Sequence, residues 1–526
     1  MFSLIIKNGT VIDGSGEKSI NADIAIENGR IVALEKLPDD AKAIKVIDAS
    51  GKIVCPGFID ILDHSDSFWT LFTIPRLDSK VMQGVTSIIG GNCGSSLAPI
   101  IGESSVAAIQ KWVDIGNVHI NWDRPAKFFS ELEKKKIGLN FGTLVGHETL
   151  RRGLIGEEFR KITNEEIKIM GKMLSDSLSE GVFGMSTGLV FSHAKMASME
   201  EIKYLVEIIK SNNAFYASHI RGESEELLPS INETIQIGRE TGVSIEISHL
   251  KAVGREYWSD MPRALEMIDI ANEENVNLDF DIYPYDTTGS VLYILLPDWV
   301  SEGGRKQMIK RLKDPDLRDK ILNEMKEMKY DYNDVVISIC PRLREVVGKN
   351  IMDIAQKQEM SPEEVIIELL ISANGHVIVF HRGVLSEENV KLSLKNSHSI
   401  VASGDAAYNI EYTRTGELVH PRCFGTCTRI LGKYVREEKV ISLENAIKKM
   451  TSKPATKVGI RERGLLKKGY YADVVVFDQN TVGERADFIN PYKYSDGIEY
   501  VIINGKMVVE KGQHTGELAG KVLRRK

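Results

Sequence analysis

The chain has 526 residues, 42% of them hydrophobic and 27% charged, a globular balance in a length that exceeds one ordinary domain. Its formal net charge of -7 gives no electrostatic reason to expect nucleic acid or an anionic membrane as a partner, and the basic cluster Arg524, Arg525 and Lys526 reads as a solvated tail. Five cysteines (Cys55, Cys93, Cys340, Cys423, Cys427) without a Cys-x-x-Cys pair argue against a disulfide framework, and no apolar run approaches a signal h-region or the ~18 residues of a membrane span, so a cytoplasmic protein is expected.

Residues 1–55 carry short alternating runs broken by Asn8-Gly9, Asp13-Gly14, Asn28-Gly29 and Ser50-Gly51. These are hairpin and turn signals and predict a small β unit. From 56 to 455 short strands alternate with helical segments. Among the latter are 164–179, with Glu165 and Glu166 early, and 229–241, opened by Pro229. Such alternation implies right-handed crossovers and parallel pairing. Candidate strands end before His64, Cys93, His147, Ser186, His219, His249, Tyr283 and Asp405, the eight of a closed (β/α)8 TIM-like barrel with its chemistry at the carboxyl ends of the strands.

Between Tyr285 and Ser399 lies more chain than one crossover needs, including a charged helical stretch from Glu302 to Lys329. An insertion at about 287–375 is therefore expected, either a lid over the barrel mouth or a passive elaboration, with the lid favoured. From 456 onward β runs return at 472–478, 500–504 and 506–510, with an Asn504-Gly505 turn between the last two. Because chain termini commonly lie close together, both ends are expected to build one β-sandwich domain flanking the barrel.

Several strand ends carry ligand chemistry. Apolar, β-branched runs stop at Cys93, His219 and His249. Taken singly, a strand-end histidine is usually a satisfied polar group and a buried cysteine a small hydrophobe. Together, one thiolate and two imidazoles suit zinc, and three protein ligands leave the open position of a catalytic site, which favours hydrolysis. On the first strand Asp60, Leu62 and His64 share a face, so leucine stands where a second imidazole would complete a His-x-His pair.

Further motifs run nearly end to end. They include Ile-Lys-Asn-Gly-Thr-Val-Ile-Asp-Gly-Ser-Gly at 6–16, Pro-Gly-Phe-Ile-Asp at 56–60, Gly-Asn-Cys-Gly at 91–94, Val-Gly-His-Glu-Thr-Leu-Arg at 145–151 and Ser-Thr-Gly-Leu at 186–189. Ser-His-Ile-Arg-Gly-Glu at 218–223, Ser-His-Leu-Lys at 248–251, Tyr-Pro-Tyr at 283–285, His-Pro-Arg-Cys-Phe-Gly-Thr at 420–426 and Ala-Asp-Val-Val-Val-Phe-Asp at 472–478 follow. In these the chain resembles the amidohydrolase superfamily and, within it, the N-acyl-D-amino-acid deacylase (D-aminoacylase) family. The cysteine motif with Ser-His-x-Lys is the specific part.

The resemblance implies that Cys93, His219 and His249 hold one tight zinc, that Asp405 is the catalytic acid/base, and that Lys251 and Tyr283 contact substrate. Leu62 removes a ligand of the family's weaker second metal, so that site is expected to be lost or weak, with His64 left to bond water or a substrate oxygen. Gly289 stands where an active-site serine is expected, followed at once by Ser290, and Phe191-Ser192-His193-Ala194 replaces a Pro-Gly turn. The implied reaction is zinc-dependent hydrolysis of a linear amide, with an N-acyl-D-amino acid or related small amide as substrate. Acyl length, side chain and D or L preference rest on the resemblance alone, and nothing in the sequence fixes the oligomeric state. Two other readings stay open. One is a cyclic-amide hydrolase of the dihydroorotase or hydantoinase kind, whose relatives bridge two metals with a carboxylated lysine where this chain offers Cys93. The other is a catalytically silent scaffold, which Leu62 would permit.

Overall fold

Eight parallel strands wind into a barrel: β1 (Phe58–Asp60), β2 (Val85–Gly90), β3 (Asn140–Thr143), β4 (Gly184–Gly188), β5 (Phe215–His219), β6 (Ser244–Ile247), β7 (Leu278–Ile282) and β8 (Ser399–Val401). This is a computed structural model that describes residues 1–109, 112, 120–328 and 330–526; Lys329, the last residue of the expected charged stretch, lies outside them. Each strand is short and almost entirely buried, as a sheet covered on both faces requires, and β2, β6 and β8 are rich in β-branched residues. Val145–Gly146 carries the pairing from β3 on to β4. The ring closes between β8 and β1 through one parallel bridge, Asp63 to Asp405, supported by the Gly404 amide donating to the Leu62 carbonyl at 2.9 Å.

Some crossover helices start at a side-chain cap, Ser198 for Met199–Ser211 and Ser386 for Glu387–Lys395 among them. Thr163 and Glu166 form a reciprocal capping box at the head of Asn164–Ser179. The helix expected to open at Pro229 begins slightly earlier, at Leu227, and ends at Thr241. The proline falls in its first turn, where no intrahelical amide bond is lost.

Both ends of the chain meet in a β-sandwich. Val474–Phe477 pairs antiparallel with Ile53–Pro56 on one side and Ile498–Ile503 on the other. A four-stranded sheet of N-terminal strands packs over it, with Leu4, Ile6, Ile24 and Ile26 meeting Val54, Val474, Val476 and Ile502. Asn28-Gly29 and Asn504-Gly505 both turn through positive φ (50° and 76°, 51° and 78°), as two-residue hairpins of this hand need.

The insertion folds around its own core, in which Leu312, Ile321, Ile337, Ile366 and Leu370 are fully buried. Its antiparallel sheet has Ile378–His381 as the central strand, flanked by Thr288–Val291 and Val335–Ile339. The inserted unit therefore runs on to His381, beyond residue 375, because without that strand its two flanking strands have no common partner. No helix among the described residues is long and apolar enough to cross a membrane.

Candidate active site

Cys93 lies in the tight loop that follows β2. Gly91, Cys93 and Gly94 all take positive φ (75°, 50° and 78°), and a Cβ at Gly94 would come within 2.8 Å of the Gly188 amide nitrogen. The loop is pinned by the Asn92 side-chain amide, which donates to the Ile89 and Ile61 carbonyls at 2.8 and 3.1 Å. His219 is the last residue of β5, and His249 follows β6 with φ 41° while its amide donates to Asp281 Oδ1 at 3.0 Å. Three elements distant in sequence thus aim one sulfur and two imidazoles at a common point.

One candidate ligand atom from each of Cys93, His219 and His249 lies within 4.8 Å of the others. His249 Nε2 is 3.0 Å from His219 Nδ1 and 3.7 Å from Cys93 Sγ. Donors at about 2.0–2.3 Å from a tetrahedral zinc stand at separations of this order, so thiolate and imidazole, borderline-soft donors, fit that ion in both kind and spacing. Burial pushes the His249 pKa down, with Lys251 adding to the effect, which keeps the ring neutral as a ligand must be.

No role for Glu223 is legible in the sequence, although it lies four residues after His219 in the Ser-His-Ile-Arg-Gly-Glu motif. Its Oε1 is 3.1 Å from His249 Nδ1 and 3.8 Å from His219 Nε2, and it pairs with Lys251. Burial raises the Glu223 carboxyl, but Lys251 and His249 outweigh it and hold the group well below the usual carboxylate range. A carboxylate behind ligand imidazoles fixes their tautomer and ring orientation. Lys251 is accordingly held in place, its Nζ 2.9 Å from His249 Nδ1 and donating to the His249 carbonyl at 3.1 Å.

Asp405 sits just past β8, its Oδ1 accepting from the Ala406 amide at 2.8 Å and its Oδ2 from Arg422 Nε at 3.0 Å. Arg422, also without an assigned role from sequence, lies over the Tyr283 ring at 4.6 Å. Burial raises the Asp405 pKa, but the Arg422 guanidinium outweighs it, leaving the carboxyl below its ordinary value. Tyr283 donates its hydroxyl to Thr288 Oγ1 at 3.0 Å. His64 is buried with Nε2 3.7 Å from Cys93 Sγ, and burial pushes its pKa down to about 3. Its Nδ1 has no hydrogen-bond partner among the described residues.

All eight expected site residues line one cavity of about 920 Å³: Cys93, His219, His249, Asp405, Lys251, Tyr283, His64 and Ser290. The inserted unit forms part of its wall through Ser290, Asp334, Phe380 and His381, which places it where a lid would sit. Gly289 also faces the cavity, and a Cβ there would stand 3.9 Å from Arg422 Nη2. Phe191, of the departing 191–194 stretch, is another wall residue, next to the helical turn Ser192–Lys195.

The Amidohydrolase family profile matches residues 356–509. Over its whole length the chain is 32% identical to D-aminoacylase of Alcaligenes xylosoxydans xylosoxydans, covering 98% of that protein. It is also 32% identical to N-acyl-D-glutamate deacylase of the same organism, over 99% of this chain and 96% of that one. Among solved structures, N-acyl-D-glutamate deacylase from Bordetella bronchiseptica, complexed with zinc and a phosphonate inhibitor, superposes with a TM-score of 0.84 at 30% identity over 99% of both chains. On this full-length identity, with the cysteine and two histidines in one cavity, the chain belongs to the N-acyl-D-amino-acid deacylase (D-aminoacylase) family of the amidohydrolase superfamily.

Proposed function

We propose that this protein is a zinc-dependent hydrolase of linear amide C–N bonds that cleaves N-acyl-D-amino acids into a carboxylate and a D-amino acid. The observation that carries the reading is the convergence of Cys93, His219 and His249 across one cavity from an ionised Asp405. The full-length relatives, named for deacylation of N-acyl-D-amino acids, support it. Three of them, two of which are named for different side chains (glutamate and aspartate), stand at 31–32% identity, so side-chain preference is carried by individual cavity residues rather than by overall likeness.

Cys93, His219 and His249 would hold the zinc, which supplies Lewis acidity that makes water nucleophilic near neutral pH and polarises the scissile carbonyl. Asp405, kept anionic by Arg422, accepts the proton of the attacking water and returns it to the leaving nitrogen as the C–N bond breaks. Lys251, Tyr283 and Ser290 bind the substrate carboxylate or the developing oxyanion, and His64 stays neutral as a hydrogen-bonding group. The working units are the barrel at 56–455 with its inserted lid and the flanking domain from 1–55 and 456–526, in a cytoplasmic enzyme. Hydrolysis of a panel of N-acetyl D- and L-amino acids, hydantoin and dihydroorotate, measured alongside metal content, tests this. Release from the N-acetyl-D-amino acids with about one zinc per chain is expected, whereas release only from the cyclic compounds would overturn the substrate class.

Leu62 carries the proposal of a single zinc. Its side chain is buried in the apolar cluster that contains Cys93, where a second imidazole beside His64 would otherwise offer a ligand. Leu62→His should raise metal occupancy above that of the natural chain on titration with zinc. Unchanged stoichiometry would mean that more than this residue closes the second site.

A further inference from the structure

Beneath the barrel mouth lies a buried cation that takes no part in the chemistry above. Lys80, in the short helix Asp78–Val81 ahead of β2, has a side chain only 1% exposed. Its ammonium is 2.8 Å from Asp60 Oδ2 and 3.3 Å from Asp63 Oδ2, two carboxylates that are themselves almost fully buried. It also donates to Ser403 Oγ and, at 3.0 Å, to the Asp405 carbonyl. Burial disfavours the charge, but Asp60 and Asp63 outweigh it and hold Lys80 protonated.

These partners sit on both sides of the seam between β1 and β8, where the ladder consists of the single Asp63–Asp405 bridge. Ser403 doubles the connection: its amide donates to Asp60 Oδ1 at 3.1 Å, its hydroxyl to Asp60 Oδ2 at 2.5 Å, and it accepts from the Asp405 amide at 3.3 Å. The Asp405 carbonyl held by Lys80 also accepts from the His64 amide at 3.3 Å. Backbone on both sides of the Asp405 carboxylate, and the backbone of His64, are therefore fixed through one ammonium and one hydroxyl. A weak point in the ladder coincides with the residue whose placement the reaction depends on most.

We propose that Lys80, with Asp60 and Ser403, is a positioning group that locks the barrel seam and thereby sets the Asp405 carboxylate against the substrate, without touching substrate or metal. The inference rests on the deacylase reading for its effect on rate, but not for its structural content. Misplacement of a reacting group by about 1 Å can cost of the order of 10²-fold in rate.

Lys80→Met alone leaves two buried carboxylates uncompensated, a threat to folding, so the test pairs Ser403→Ala, which keeps the ion pair, with the charge-balanced double variant Lys80→Met/Asp60→Asn. In both, kcat on whichever panel amide the natural enzyme cleaves should fall by about 10- to 100-fold with KM within about twofold. Zinc content should be unchanged, and crystal structures should show Asp405 displaced from its contact with Arg422. Unaltered kcat, or an Asp405 carboxylate in its original place, would overturn the proposal; so would zinc lost in step with activity, since that marks general loosening of the fold. If the natural enzyme cleaves none of the panel, the deacylase reading fails, while the position of Asp405 in the variant structures still decides this one.

Discussion

Replacing Cys93 with alanine should strip the purified protein of its tightly held metal while leaving the barrel folded. The thiolate is the single sulfur among the three converging donors, and without it His219 Nδ1 and His249 Nε2, 3.0 Å apart, form a two-imidazole site with no anionic donor. Loss even of an outer-shell partner costs about 10- to 100-fold in metal affinity, so loss of a direct ligand should exceed about 100-fold. The structural cost is small by comparison. Alanine is no larger than cysteine and fits the same buried space, and the left-handed backbone at φ 50° strains both residues alike by roughly 1–2 kcal/mol. Zinc measured after dialysis, beside thermal unfolding of the metal-free natural chain and the variant, separates the two effects. Full zinc retention by the variant would remove Cys93 from the ligand set.

What the sequence discloses follows from which physical signals are local. β-branched runs ending in a polar residue, Asn-Gly turns and the Thr163–Glu166 cap are written within a few residues of where they act, and the eight barrel strands and the Lys506–Glu510 strand could be read from them. Side-chain partners across the barrel are different. Lys80 meets Ser403 over a separation of 323 residues, and periodicity says which face a residue occupies but not what it will find there. Arg422 was visible as part of a motif, yet its pairing with Asp405 depends on how the segment after Pro421 folds back over β8. Glu223 lies in a loop, where a carboxylate ordinarily reads as solvated, and only the approach of β6 brings His249 and Lys251 against it. The central strand of the inserted sheet, Ile378–His381, was hidden for a related reason: four residues give too little pattern, and its partners lie on two separate stretches of chain.

Asp405→Asn should keep its metal and lose most of its turnover. General acid–base catalysis by a positioned side chain contributes about 10²- to 10⁴-fold, and an amide oxygen cannot take up the water's proton at neutral pH, so a fall of that size in kcat is expected with zinc content unchanged. The substitution also has a stability signature. Asp405 accepts from the Ala406 amide on one oxygen and from Arg422 on the other, so an asparagine that keeps the first contact turns its NH2 towards the guanidinium. A buried charge left without its partner can cost about 3–5 kcal/mol, and the stacking on Tyr283 that Arg422 retains would put the loss at the lower end or below. The pH dependence gives the sign. Because the folded-state pKa of Asp405 lies below the ordinary 3.8, its ionised form stabilises the fold above that value, and the contribution is lost as pH falls through the depressed pKa. The natural chain should therefore lose stability more steeply than the variant on acidification below about pH 4, and the two unfolding curves should draw together. A variant with near-normal kcat would show that another group accepts the proton, and one whose stability keeps a constant deficit at low pH would show that the Arg422 pairing does not hold Asp405 ionised.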